Sequence, residues 1–136
     1  MPTAPLPPSI VALGDQLRAG ATTVAAEVAA ARARIDRLNA RFRAFSHVAP
    51  VTPATINALD AELRAGRARG PLHGIIASVK GNIPVAGLPW TEGSRLFAAR
   101  RAESDAGIVA GLRAAGGIVL GTTTPDLIFP STACLL

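Results

Sequence analysis

The chain has 136 residues and a net charge of +5 at pH 7, and 49% of its residues are hydrophobic although only 4% are aromatic. This length allows one modest domain with a core built mainly from alanine and aliphatic side chains. A single cysteine, Cys134, excludes an intramolecular disulfide, and two histidines are too few for a credible metal site. We therefore expect no cofactor and a reducing, cytoplasmic location.

The positive charge comes from arginines that are spread along the chain. They lie in the regions 32–43, 64–69 and 100–101, and no nucleic-acid-reading motif accompanies them. Arg and Asp also interrupt every apolar stretch before it reaches the roughly 18 to 20 residues that span a bilayer. We expect solvated helix faces with neither a nucleic-acid nor a membrane partner, and the sequence predicts no oligomeric state.

The first part of the chain predicts a leader and two helices. Residues 1–8 contain four prolines and no secretion signal, so a disordered leader is expected before one domain over residues 9–136. Ser9 can cap a short helix that runs to about Ala19 and stops at Gly20. Thr22 or Thr23 then opens a longer amphipathic helix that reaches about Arg41.

A strand and a third helix follow. Residues 42–48 predict a short strand, and Thr52-Pro53 is typical of a helix start, with a capping hydroxyl before a proline in the first turn. This helix is expected to end near Ala65. Residues 66–70 then predict a polar loop.

The second half alternates strand, helix and strand. Residues 75–80 predict a strand with two largely apolar faces, which places Lys80 at its end in apolar surroundings. Ser104 or Asp105 is expected to cap a helix whose buried stripe is Ile108, Val109, Leu112 and Ala115. A second buried strand is expected at 118–122, and 124–126 predicts another helix start. This order predicts an α/β fold with a crossover connection.

Lys80 is the only lysine, against thirteen arginines. A coding bias toward arginine could leave one lysine by chance. Arginine stays charged at any working pH, however, whereas a lysine amine can become neutral and accept a proton. A single retained lysine therefore makes Lys80 a candidate base.

The residues around Lys80 carry a family resemblance. The segment Gly70-Pro-Leu-His-Gly-Ile75, followed by Val79-Lys80, Asn82-Ile83, Val85, Gly87 and Gly93-Ser94, resembles the signature segment of the amidase signature family. The likeness extends from about Glu62 to Pro130. It implies a mixed sheet flanked by helices, of which this chain would hold the N-terminal helices and the first strands, an incomplete part of the fold.

The resemblance implies an amide hydrolase of the Ser-cisSer-Lys type, with Lys80 as the catalytic lysine and a small-molecule amide as substrate. The neutral amine would take the nucleophile's proton through the cis serine and return it to the departing amine. Both serines of that triad belong to segments beyond the 136 residues, so the chain is expected to be inactive by itself. The alternative is a non-catalytic remnant or a small binding module.

Four features depart from the family pattern. Gly81 stands where the family usually has Asp, the run 122–124 is Thr-Thr-Thr in place of Lys-Thr-Asn, and Asp126 replaces Glu. The tail 131–136 does not resemble the family's continuation. Gly81 removes a carboxylate next to Lys80, which leaves a lysine base chemically plausible but leaves its geometry open.

Other polar residues near Lys80 have weaker claims to a catalytic role. Ser78 shares a strand face with Lys80, but a Ser-Lys dyad is disfavoured because residues two apart in a strand lie nearly 7 Å apart with parallel side chains. His73 is expected to be a structural hydrogen bonder. Trp90 and Ser94 could line a substrate region or serve turns and packing. Cys134 is expected to act as a small hydrophobe.

Overall fold

A computed structural model describes residues 8–125, and this range contains four α-helices, three strands and one short 3-10 turn. In chain order the elements are α1 Ile10–Arg18, α2 Val24–Phe42, β1 Phe45–Val48, α3 Pro53–Arg64, β2 Ile76–Lys80, the 3-10 turn Arg95–Phe97, α4 Gly107–Ala114 and β3 Ile118–Thr123. The prediction for residues 1–7 of the leader, and that of a helix start at Asp126, lie outside the described residues.

The first three helices begin at the residues that the capping pattern predicts. The side chains of Ser9, Thr23 and Thr52 each accept a hydrogen bond from the backbone N–H three residues later. Each bond satisfies one of the free N–H groups of a first helical turn. α2 ends at Phe42, one residue later than predicted, because Arg43 adopts a left-handed conformation with φ of 47°.

The predicted start of α4 is wrong. Ala106 holds the N-cap position and makes no side-chain capping bond. Asp105 instead accepts a hydrogen bond from the Ala86 N–H at 2.8 Å and pairs with Arg113 Nε at 2.9 Å. Its carboxylate is therefore used to tie the preceding loop to the helix.

The predicted buried stripe of α4 is also partly wrong. Val109 is completely buried, whereas Ile108 is 71% exposed. Consecutive helical residues are about 100° apart around the axis, so the face that buries Val109 turns Ile108 toward solvent.

The three strands form one mixed sheet in the order β1-β3-β2. β2 runs parallel to β3, from Ile76 opposite Ile118 to Lys80 opposite Thr123, and β1 runs antiparallel to β3. Because α4 connects the two parallel strands, the predicted crossover is confirmed.

β3 lies in the middle of the sheet and is buried on both faces. Ile118 and Leu120 join the cluster under α1, α2 and α3, which includes Leu17, Val24, Val28, Leu59 and Ile75. Val119 joins the second cluster, with Ala49, Val85, Leu88 and Val109. This alternation is what a strand with two packed faces requires.

The prediction that β2 is buried on both faces is wrong for the described residues. Ile76, Ala77 and Val79 are half-buried, whereas Ser78 and Lys80 are exposed. β2 is an edge strand of this sheet, and the apolar cluster under the helices reaches only its first residues. Lys80 therefore stands at an open edge and lacks the apolar surroundings that the sequence predicts.

α2 is the longest helix, at 19 residues, and it carries several arginines on its exposed side. Among the helices of residues 8–125, none combines the length and the apolar content that crossing a bilayer requires.

Candidate active site around Lys80

Lys80 is the last residue of β2, at the carboxyl end of the parallel pair that β2 forms with β3. In α/β folds the loops at this end of the sheet commonly carry the functional residues. Thr123 lies directly opposite Lys80 in the register. The candidate site is thus built where two strands from distant parts of the sequence end together.

The main chain around Lys80 is held by three hydrogen bonds. The Lys80 carbonyl accepts from the Ile83 N–H at 2.8 Å, and the next N–H, that of Gly81, donates to the Thr123 carbonyl at 2.9 Å. The Thr123 hydroxyl donates to the Val79 carbonyl at 3.4 Å. The backbone at Lys80 is therefore fixed, while its side chain extends from an exposed position.

A tryptophan anchors the turn that follows the lysine. The Trp90 indole N–H donates to the Asn82 carbonyl at 3.1 Å. The Arg100 guanidinium lies 3.8 Å from the Trp90 ring and 4.4 Å from the Phe97 ring, and it also pairs with Glu92. These contacts assign Trp90 a packing role beside the lysine turn.

Ser94 also has a structural task. Its hydroxyl accepts a hydrogen bond from the Leu96 N–H at 3.2 Å and caps the short 3-10 turn. Of the two roles that the sequence leaves open for Ser94, the structure displays the one in a turn.

Ser78 lies on the same face of β2 as Lys80 and is exposed. With Ile76 and Leu120 it lines a hollow of about 190 Å³ beside α2. Two residues of strand separate it from Lys80, so their Cα atoms lie nearly 7 Å apart. The structure gives no reason to prefer a dyad of these two residues.

His73 is buried at the opposite end of β2 from Lys80. It is 1% exposed, its Nδ1 accepts from the Arg69 backbone N–H at 3.1 Å, and its Nε2 lies 3.0 Å from the Leu59 carbonyl. One nitrogen must accept and the other must donate, which requires the neutral Nε2–H form. The predicted structural role of His73 is confirmed.

Glu62 stands beside this histidine. Arg69 donates two hydrogen bonds of 2.7 Å to its carboxylate. The Arg69 hydrogen bond is the main cause that lowers the pKa of Glu62 below its ordinary value, with the Arg69 charge and the nearby His73 assisting. This cluster joins α3 to the loop before β2 and so supports the base of the strand.

Thr123 and Pro125 were missed by sequence reasoning as neighbours of Lys80. They lie more than 40 positions away, and only the parallel pairing of β2 with β3 brings them to the lysine. The pairing of the two predicted strands was the available signal, but their register is not encoded in a local pattern. Cys134 and Asp126 lie outside the described residues.

Metal chemistry finds no arranged ligands in this range. Within residues 8–125, no three His, Cys, Asp or Glu side chains come together in a group that could hold a metal ion.

The family model for amidase matches residues 26–134 of the chain. The chain belongs to the amidase family. The matched range contains Lys80 and all of β2, α4 and β3. It also contains the signature-like residues between Gly70 and Ser94, so the expected family and its α/β fold are confirmed.

Curated relatives cover most of this chain. The chain is 36% identical over 125 residues to a chloroplastic/mitochondrial glutamyl-tRNA(Gln) amidotransferase subunit of Zea mays, and the match pairs 90% of the chain with 23% of that protein. It is 42% identical over 108 residues to the glutamyl-tRNA(Gln) amidotransferase subunit of the same type from Salinispora arenicola, with coverage of 75% and 21%. The chain thus spans about a quarter of the length of these relatives.

A solved amidase shares the fold of the described range. The native peptide amidase from Stenotrophomonas maltophilia superposes with a TM-score of 0.78 at 35% identity, covering 85% of this chain and 24% of that enzyme. A second amidase structure gives a TM-score of 0.72 at 31% identity, with coverage of 86% and 27%. The helices and strands seen here are therefore part of a larger amidase fold.

Proposed function

We propose that this chain supplies the general base of an amide hydrolase, and that Lys80 is that base. The observation that carries the proposal is the position of the only lysine, at the carboxyl end of β2 inside the range matched by the amidase family. The single cysteine fits a reducing compartment, and we include a cytoplasmic location in the proposal.

The proposed chemistry is acyl transfer to a serine. A hydroxyl is too weak an acid to attack an amide unassisted, so a base must remove its proton during the attack. In the Ser-cisSer-Lys arrangement the neutral amine of Lys80 takes this proton through the cis serine. The resulting ammonium then gives a proton to the departing amine, and water releases the acyl group.

The exposure of Lys80 agrees with this role. An edge strand whose last side chain is uncovered in residues 8–125 leaves room for serines from another segment to approach the amine. The three hydrogen bonds of the backbone hold the starting point of the side chain in place. Positioning of this kind is what converts a surface lysine into an effective base.

The substrate belongs to the class of carboxamides in this proposal. Among the similar proteins, one is named a peptide amidase and others are named amidotransferase subunits. Both names are compatible with a substrate that carries an amide C–N bond. Because the chain spans about a quarter of these relatives, the reaction of the complete protein is proposed and the particular amide is left open.

A chimera tests the role of Lys80. Residues 8–125 would replace the matched segment of the Stenotrophomonas maltophilia peptide amidase, and ammonia release from a peptide amide would be measured. We expect turnover that Lys80→Ala reduces by at least about 100-fold, since a general base contributes about 10²- to 10⁴-fold. Ser78→Ala is the matched control on the same strand face, and its turnover should stay within about threefold of the unsubstituted chimera.

Two results would contradict the proposal. Turnover that survives Lys80→Ala would remove the lysine from the mechanism, and an equal loss in Ser78→Ala would favour a Ser78-Lys80 dyad. The 136-residue chain alone is expected to release no ammonia above background. Release that disappears in Lys80→Ala would show that the nucleophile lies within these residues.

A further inference from the structure

Gly81, the residue that follows Lys80, has no room for a side chain. A Cβ atom built on it would lie 2.8 Å from the Thr123 carbonyl oxygen, 2.9 Å from Pro125 Cδ and 3.1 Å from Pro125 Cγ. Carbon atoms of real side chains essentially never approach other heavy atoms within 3.0 Å. Gly81 is not among the residues with positive φ, so the restriction is one of space and not of backbone conformation.

The atoms that crowd Gly81 belong to a segment that is itself held. The Thr123 carbonyl accepts the Gly81 N–H at 2.9 Å, and the Thr124 N–H donates to the Ala44 carbonyl at 2.9 Å. The Thr124 hydroxyl also bonds to the Arg43 carbonyl. The buried Pro125 ring follows directly, so it cannot retreat from Gly81 without straining the bonds that join the end of β3 to the end of α2.

We propose that Gly81 and Pro125 form a matched steric pair that fixes the direction of the main chain as it leaves Lys80. Pro125 is in this sense a positioning residue for the lysine. Its catalytic meaning rests on the function proposed above, but the geometry does not. An aspartate at position 81, the residue usual in the resembling family segment, would not fit beside Pro125 in this chain.

The effect on Lys80 follows from the hydrogen bonds that flank it. A side chain at position 81 must push away the Thr123 carbonyl, which is the acceptor of the Gly81 N–H. The same peptide plane contains the Lys80 carbonyl, which accepts from the Ile83 N–H at 2.8 Å. A shift of this plane therefore turns the Lys80 main chain and with it the origin of the lysine side chain.

The single lysine makes this movement directly observable. When the 136-residue chain is labelled with ¹³C,¹⁵N-lysine, NMR spectra show one backbone amide and one ε-methylene signal, both from Lys80. We would compare Gly81→Ala, Pro125→Ala and the double variant. Gly111→Ala is the matched control, because a Cβ at this glycine meets nothing within 4 Å.

We expect Gly81→Ala to move both folded-state signals of Lys80 by several linewidths. Gly111→Ala should leave them in place. The double variant lacks the Cδ and Cγ atoms of Pro125, so its signals should return most of the way to their original positions. A simple loss of stability would change the populations of folded and unfolded signals but not the position of the folded ones.

The proposal is overturned if Gly81→Ala leaves the Lys80 signals unmoved, or if the double variant shows the same displacement as Gly81→Ala. If Gly81→Ala does not fold, the double variant decides: recovery of the folded-state signals supports the steric pair, and continued absence of folding contradicts it. Because these signals report geometry and not turnover, their outcome is independent of whether Lys80 is the base.

Discussion

Replacement of His73 by alanine is predicted to destabilise the fold far more than the same change at His47, the only other histidine. His73 is 1% exposed and its ring nitrogens serve the Arg69 N–H and the Leu59 carbonyl. A buried polar group that loses its partner costs about 1 to 3 kcal/mol. Removal of a buried ring adds a cavity, and aromatic-to-alanine changes cost about 3 to 5 kcal/mol in total.

We therefore expect the free energy of unfolding to fall by about 3 to 5 kcal/mol in His73→Ala. His47 is partly exposed and, within residues 8–125, has no side-chain hydrogen bond comparable to those of His73, so His47→Ala should cost less than about 1 kcal/mol. Urea unfolding followed by the fluorescence of Trp90, the only tryptophan, measures both. Equal losses in the two variants, or a loss below about 1 kcal/mol in His73→Ala, would refute the assignment of His73 as a buried tie between α3 and β2.

Three further results are expected from the same unfolding assay. Gly121→Ala should lower stability by more than about 3 kcal/mol, because its Cβ would lie 2.2 Å from the His47 carbonyl oxygen, whereas Gly111→Ala on the exposed side of α4 should raise it by about 0.5 to 1 kcal/mol. Asp60→Ala should cost about 1 kcal/mol, since its carboxylate accepts the Val24 N–H at 2.8 Å at the start of α2, and Asp60→Asn should recover part of the loss. Burial, and secondarily the charge of Arg101, lower the pKa of His47, so stability should be complete above its ordinary value of 6.5 and fall as the pH drops toward the lowered value; an unchanged slope in His47→Gln would contradict this.

The sequence predicted the fold well where the signals are local. Ser9 and Thr52 indicate helix starts through their own hydroxyls, and the apolar run at 118–122 identifies the central strand. These predictions hold because a capping bond or a two-residue alternation needs only neighbours along the chain.

The sequence failed where the partner is remote. Asp105 looks like a cap, but its carboxylate is taken by the Ala86 N–H and Arg113, which no local pattern reveals. Asp60 caps α2 from 36 positions away. β2 is predicted as a buried strand because its residues are apolar, yet its place at the sheet edge depends on topology and leaves Lys80 exposed.

The candidate site was only partly accessible to sequence reasoning for the same cause. Lys80 could be singled out because it is unique and lies in a recognisable segment. Its surroundings could not, since Thr123 and Pro125 reach it through the register of two strands. The departure at Gly81 is likewise explained only by the Pro125 ring that fills the adjacent space.

The most direct test of the central claim compares Lys80→Arg with Lys80→Ala in the peptide amidase chimera. Both substitutions remove a group that can be neutral near pH 7, and arginine retains the positive charge. The account predicts that kcat falls by at least about 100-fold in both, with KM changed by no more than a few-fold, because the lysine acts in proton transfer and not in binding. A Lys80→Arg chimera with near-normal kcat would show that position 80 supplies only positive charge, and Lys80 would not be the general base.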